Sequence, residues 1–147
     1  MLQAKIWNPR RELETSEPAI VLVHQWSMMG GKASLMHGIA LELNKRGFYA
    51  VTFDMRGVGG SSGQKTINGC KEVRDVEAIC DWAHTRLGRD LVLLGSSGGA
   101  PIAGSAIDLR PFIRAFVGVG YVCGSLASII FHPHFAAVIA TSKPRLF

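Results

Sequence analysis

The chain has 147 residues, 48% apolar and 18% charged, with 17 Gly and 6 Pro. That is one domain with enough apolar side chains for a core, which excludes collagen, intrinsic disorder and a disulfide-stapled miniprotein. The net charge of +5 comes from 16 Lys and Arg against 11 Asp and Glu, scattered with no basic stripe among aromatics, which argues against nucleic acid.

Short β-branched runs alternate with longer helical windows. Leu2 to Trp7 reads as a weak first strand. Ala19 to His24 is an unbroken apolar run, the mark of a strand buried on both faces. Leu35, Met36, Ile39, Ala40 and Leu43 recur at helical spacing between Ala33 and Arg46, and Gly47 stops the helix. Tyr49 to Phe53 is the next strand, and Val73, Val76, Ile79, Cys80 and Ala83 mark a second helix. Leu91 to Leu94 is a third buried strand. Gly98 to Leu109 is a third helix, with Pro101 in its first turn, where a missing N–H costs nothing. Ile113 to Val119 is a fourth buried strand. This order predicts an α/β fold: a doubly wound, mostly parallel sheet with helices on both faces and its chemistry at the carboxyl ends of the strands.

The N-terminal residues read as neither a signal peptide nor a transit peptide. Ala115 to Ala140 contains no charged residue, but its Gly, Ser, His and Pro residues suit a buried strand, a loop and a short helix better than a membrane span. The three cysteines, Cys70, Cys80 and Cys123, are widely spaced and odd in number. They read as reduced thiols of a cytoplasmic protein, with no zinc pair; no metal or cofactor is expected.

Three loops stand at carboxyl ends of predicted strands. The loop from His24 to Ala33 holds Gly31-Lys32, but Trp26 and Ala33 occupy positions where a phosphate loop needs Gly and Ser or Thr. The loop from Asp54 to Gly63 approximates a dinucleotide fingerprint with Gly57, Gly59 and Gly63, yet Gln64 to Gly69 continues as polar loop where a helix must open. The third, Gly95-Ser96-Ser97-Gly98-Gly99, is G-x-S-x-G between a buried strand and a helix. A nucleophilic serine there projects from a strained, tight turn, so residues two before and two after must lack bulk. Gly95 and Gly99 do. The register selects Ser97 as nucleophile, and the Gly98 amide, opening the helix, supplies one oxyanion donor.

From about Ile20 to Val122 the sequence resembles the α/β-hydrolase superfamily, in its serine-aminopeptidase and lysophospholipase-like esterase branch. Three blocks carry the resemblance: Val21 to Trp26, Asp54 to Ser61 as D-x-R-G-x-G-x-S, and Gly95 to Gly99. It implies a second oxyanion donor in the backbone N–H of Trp26 or of Gln25, which stands where relatives usually carry Gly. It implies that His24 is structural, and that Asp54 and Arg56 are turn-forming scaffold paired with each other. It also implies a triad in the order Ser, acid, His.

Downstream of Ser97 the one carboxylate is Asp108, eleven residues along the same helix. At helical rise that is roughly 16 Å from Ser97, beyond hydrogen-bond reach. His132 and His134 follow the fourth strand, ahead of the family's last two strands; His37 and His84 sit in helical windows. Lys143 to Phe147 reads as the opening of the next strand. The expectation is therefore a single, incomplete hydrolase domain over residues 1–147, from about the family's second strand to the start of its seventh. Its function would be acyl-enzyme hydrolysis of a carboxylic ester, thioester or amide bond, in a small-molecule, lipid or peptide substrate. The competing expectation is a non-catalytic binding module or truncated inactive product, self-associating through an exposed sheet edge. A membrane-anchored piece using Ala115 to Ala140 is the least favoured.

Overall fold

The leucine and β-branched side chains of three central segments leave no polar face, so each segment must be covered on both sides. The computed structural model describes residues 1–11, 17–26, 30–122 and 124–147, with backbone only for 125–128. The strands are β1 (Ala4–Trp7), β2 (Ala19–Val23), β3 (Ala50–Phe53), β4 (Leu91–Ser96), β5 (Ile113–Val119) and β6 (Arg145–Leu146). They form one sheet in the order β1-β3-β2-β4-β5-β6, parallel throughout except that β1 runs antiparallel to β3 at the edge. A 3-10 turn at Ala33–Met36 leads into α1 (His37–Lys45); α2 (Glu72–Leu87), α3 (Gly99–Ser105) and α4 (Ser125–Ala140) follow.

All five β2 residues are buried, and they divide the core between the two faces. Ala19, Val21 and Val23 join Phe53, Val76, Ile102, Phe116 and Val138 under α2, α3 and α4. Ile20 and Leu22 pack on Met36 and Ala40 below α1. Each fully buried large side chain contributes about 1.5–3 kcal/mol. The helix-on-both-faces expectation holds, with one qualification on β4. Leu91 and Leu93 are buried but Val92 and Leu94 are only half-buried, because among the described residues α1 alone covers that side.

Three elements differ from the sequence reading. The β4–β5 register slips between Leu91 and Val92, leaving Arg114 as an extra residue, so Ile113 and Phe116 both face the core although three positions apart. The third helix ends at Ser105, not Leu109. Its last turn tightens: the N–H of Ala106 donates to the Ala103 carbonyl and that of Ile107 to the Gly104 carbonyl. The short helix expected within Ala115–Ala140 is sixteen residues long and contains Pro133. The N–H that Pro133 lacks would have bonded the carbonyl of Ile129, a residue that is 77% exposed, so water can take its place. No helix among the described residues is long and apolar enough to cross a membrane.

The turn after β3 is clamped to α2. The Arg56 guanidinium grips Asp75, with Nη2 2.6 Å from Oδ1 and Nε 2.9 Å from Oδ2, and the Arg56 N–H donates to the same carboxylate at 2.9 Å. The expected pairing of Arg56 with Asp54 is therefore wrong. Asp54 instead accepts from the N–H groups of Ala33 at 2.7 Å and Gly60 at 3.4 Å, tying its own loop to the first. Asp75 is buried and its arginine is 24% exposed, so removing the carboxylate strands a mostly desolvated cation. Asp75→Ala is expected to lower the unfolding free energy by about 2–3 kcal/mol, read as an earlier urea midpoint with unchanged slope.

Candidate active site

At the carboxyl end of β4 the chain turns through Ser97 and Gly98 into α3. Ser97 has φ of 50°, and among the described residues it is the one non-glycine in the left-handed region. That conformation costs an ordinary L-residue about 1–3 kcal/mol, and the surroundings impose it. The Ser97 N–H donates to the Val119 carbonyl at 2.9 Å, and its own carbonyl accepts from the Ala100 N–H at 2.9 Å. The turn is thus held to the end of β5 on one side and to the first turn of α3 on the other.

The flanking glycines are required by contact. A methyl on Gly95 would lie 2.6 Å from the Ala100 Cα, and one on Gly99 would lie 2.1 Å from the His24 carbonyl oxygen. A methyl on Gly98 would lie 2.3 Å from the Trp26 carbonyl oxygen. The elbow and the loop after β2 therefore touch backbone to backbone, which brings together Gln25, Trp26, Ser97 and Gly98, the residues singled out from sequence.

His24 fixes that loop. The Met55 N–H donates to its Nε2 at 3.2 Å, so the ring proton sits on Nδ1 and donates to the Gln25 carbonyl at 2.8 Å. Burial pushes its pKa below the usual value of 6.5, against smaller opposing effects of the Gln25 bond and Asp54. Both nitrogens are occupied, and His24 braces two loops. Trp26 is only 7% exposed and meets Phe131 of α4 edge-on, with ring centres 5.5 Å apart. The Trp26 Nε1 and the Gln25 Oε1 are buried without a partner among the described residues. The two atoms belong to consecutive residues beside the elbow. Ser27, Met28 and Met29 of this loop, and Cys123, lie outside the described residues.

The remaining candidates lie elsewhere. Asp108 accepts from the Thr141 hydroxyl at 3.0 Å and faces Lys143 at 3.6 Å, as a brace beyond the far end of α3. His37 meets Trp7 edge-on, His84 stacks on Phe112, and His132 is exposed. His134 is 2% exposed; its Nε2 donates to the Asn68 carbonyl at 2.6 Å, and its Nδ1 is 2.6 Å from the Ser105 hydroxyl. Among the described residues, no histidine bonds the Ser97 side chain. Sequence reasoning missed Phe131, the aromatic wall whose ring would be 3.4 Å from a methyl on Gly98. Its one signal was the aromatic pair flanking H-P-H in an uncharged stretch.

A mainly parallel sheet whose central strand enters a helix through G-x-S-x-G is the architecture of the α/β serine hydrolases, and this chain has that fold. An α/β serine hydrolase homologue from Coxiella burnetii superposes with a TM-score of 0.80 at 24% identity, over 99% of this chain and 66% of that one. The chain belongs to the X-Pro dipeptidyl-peptidase (S15) family, whose model matches residues 1–103. A lidless α/β serine hydrolase from Xanthomonas campestris gives 0.75 at 19% identity over 99% and 77% of the two chains. The ferulic-acid complex of Est1E from Butyrivibrio proteoclasticus gives 0.69 at 24% over 87% and 50%. The chain thus spans between half and about three quarters of these relatives. Among curated proteins none matches this sequence.

Two outcomes follow from the site's geometry. A glycine at position 97 relieves the left-handed strain and an alanine does not, so Ser97→Gly is expected to be more stable than Ser97→Ala by about 1 kcal/mol in urea unfolding. His24 and His134 both hold pKa values below 6.5 through burial. The unfolded chain therefore binds more protons than the folded one below that pH. Stability is expected to be flat above about pH 6.5 and to fall on acidification through the window below it, with His134→Gln flattening part of the fall in pH-dependent melting.

Proposed function

We propose that this chain carries the nucleophile and oxyanion site of a serine hydrolase. Ser97 Oγ attacks a carbonyl carbon, forms an acyl-enzyme and expels an alcohol, thiol or amine, and water then hydrolyses the acyl-enzyme. The backbone amides of Gly98 and of Trp26, or of Gln25, receive the oxyanion. The single observation that carries this reading is the left-handed backbone of Ser97 at the β4–α3 turn. A relaxed turn would avoid that strain, and this one is maintained by three backbone contacts that admit only glycine.

The substrates proposed are carboxylic esters, thioesters or amide and peptide bonds. The family description supports the peptide bond, and the aromatic acid held by the Butyrivibrio relative supports an ester. Trp26 and Phe131 form the apolar wall beside the carbonyl, and the unpartnered Trp26 N–H and Gln25 carbonyl would meet polar atoms of the substrate.

One observation favours a second reading. With no histidine bonded to Ser97 among the described residues, the chain could act as a binding module on a hydrolase scaffold. Loss of the base leaves an oxyanion site a residual rate on the order of 10³–10⁴ over water. A fluorophosphonate probe separates the two. Labelling at Ser97, abolished in Ser97→Ala with the circular dichroism unchanged, is expected; a folded wild-type chain that stays unlabelled would leave the binding-module reading in its place.

A further inference from the structure

Apolar packing holds a helix against its neighbours without fixing which way the helix is turned, because hydrophobic burial has no direction. α4 meets that problem in full. It carries no Asp, Glu, Lys or Arg, and Ile129 and Ile139 on its outer side are as apolar as Phe131 and Val138 on its inner side. Successive residues stand about 100° apart around a helix, so a rotation of that size would set Ile130 and Pro133, or His132 and Phe135, in the places of Phe131 and His134. The first of these pairs is wholly apolar, so burial alone does not select the face that is turned inward.

His134 supplies the missing direction. It is 2% exposed, and among the described residues of α4 it alone makes side-chain hydrogen bonds. Its Nε2–H donates to the Asn68 carbonyl at 2.6 Å, which leaves Nδ1 to accept from the Ser105 hydroxyl, also at 2.6 Å. The two partners belong to different segments, the turn ahead of α2 and the end of α3, so both bonds form together at one rotation of α4 only. Gly69, beside Asn68, seats that turn against α3, where a methyl would lie 2.7 Å from the Ile102 Cδ1. Phe131 stands three residues before His134 on the same side of the helix. At this rotation its ring meets Trp26 edge-on, with centres 5.5 Å apart, and would lie 3.4 Å from a methyl on Gly98.

We propose that His134 is a positioning residue: its two hydrogen bonds set the rotation of α4 and so hold Phe131 as the wall over Trp26 and Gly98. A buried polar group here does what a lone polar residue does in an apolar coiled-coil seam, selecting one register among several of similar burial. The effect of the wall on a substrate rests on the reading of Ser97 as nucleophile; the rotation of α4 does not.

The test reads the indole N–H resonance of Trp26 by NMR in the full chain carrying isotope-labelled tryptophan, assigned by Trp7→Phe and Trp82→Phe. The edge-on Phe131 ring shifts that resonance, and Phe131→Leu gives its position without the wall. His134→Phe removes both bonds while keeping the place filled and apolar, and the Ser105 hydroxyl then has the Pro101 carbonyl at 3.1 Å. In that variant the Trp26 resonance is expected to move towards its Phe131→Leu position or to split into several. Ser105→Ala, which removes one of the two bonds, gives the same reading if the first variant does not fold. His134→Gln, whose amide keeps a donor and an acceptor, is expected to restore the single wild-type resonance. Where the fluorophosphonate labels Ser97, His134→Phe should raise its half-saturating concentration about fivefold, as loss of an aromatic contact predicts, with the maximal rate kept within about twofold. A Trp26 resonance unmoved in the folded variant, no recovery with Gln, or a fall in maximal rate at unchanged half-saturation would overturn the proposal. A wild-type chain that stays unlabelled would remove the reading of Ser97 alone, since the resonance still reports how α4 is turned.

Discussion

Everything at the elbow depends on backbone meeting backbone. The carbonyl oxygens of His24 and Trp26 occupy the space where side chains would stand on Gly99 and Gly98, and Gly95 lies against the first turn of α3. Because these approaches are closer than any Cβ permits, the turn cannot relax by moving away, and Ser97 is held left-handed between them. Strain at one residue is offset by packing spread over β2, β4 and α3, elements buried on nearly every side. An elbow made this way is rigid before any ligand arrives, which is what the oxyanion role proposed for it would require.

A second tier of bonds keeps the two neighbouring loops in place. His24 bridges the loop after β2 to Met55, and Asp54 bridges the loop after β3 back to Ala33. Arg56 then ties that loop to α2 through Asp75. Each clamp joins segments distant in sequence, so the carboxyl ends of β2, β3 and β4 behave as one platform. On the other side α4 presses Phe131 onto Trp26, and His134, three residues later, fastens the same helix to Asn68 and Ser105. One helix thus walls the elbow with its inner side and shows solvent an uncharged outer side.

Much of this was legible in the sequence because it follows from local pattern. Continuous apolar runs give buried parallel strands, and the placement of G-x-S-x-G between one of them and a helix gives the elbow. That Ser97 rather than Ser96 stands at the strained apex of the turn was readable from glycine spacing alone. What failed were statements about partners. Arg56 was paired with the near carboxylate of Asp54, whereas the fold presents Asp75 on α2, whose two oxygens suit the guanidinium fork and whose burial rewards it. The strand bulge at Arg114 and the early end of α3 also escaped, since both arise from packing between elements.

By itself the sequence determined the alternation of strands and helices, the location of the turn and the residue at its apex, because chain stiffness, hydrophobic period and glycine placement are properties of neighbours in the chain. Only the tertiary structure decided that Phe131 closes the side of the elbow, and which groups His24, His134 and Asp108 brace: the Met55 N–H, the Asn68 carbonyl with the Ser105 hydroxyl, and the Thr141 hydroxyl. Those outcomes depend on which atoms meet when distant segments pack together, and no local pattern carries that information.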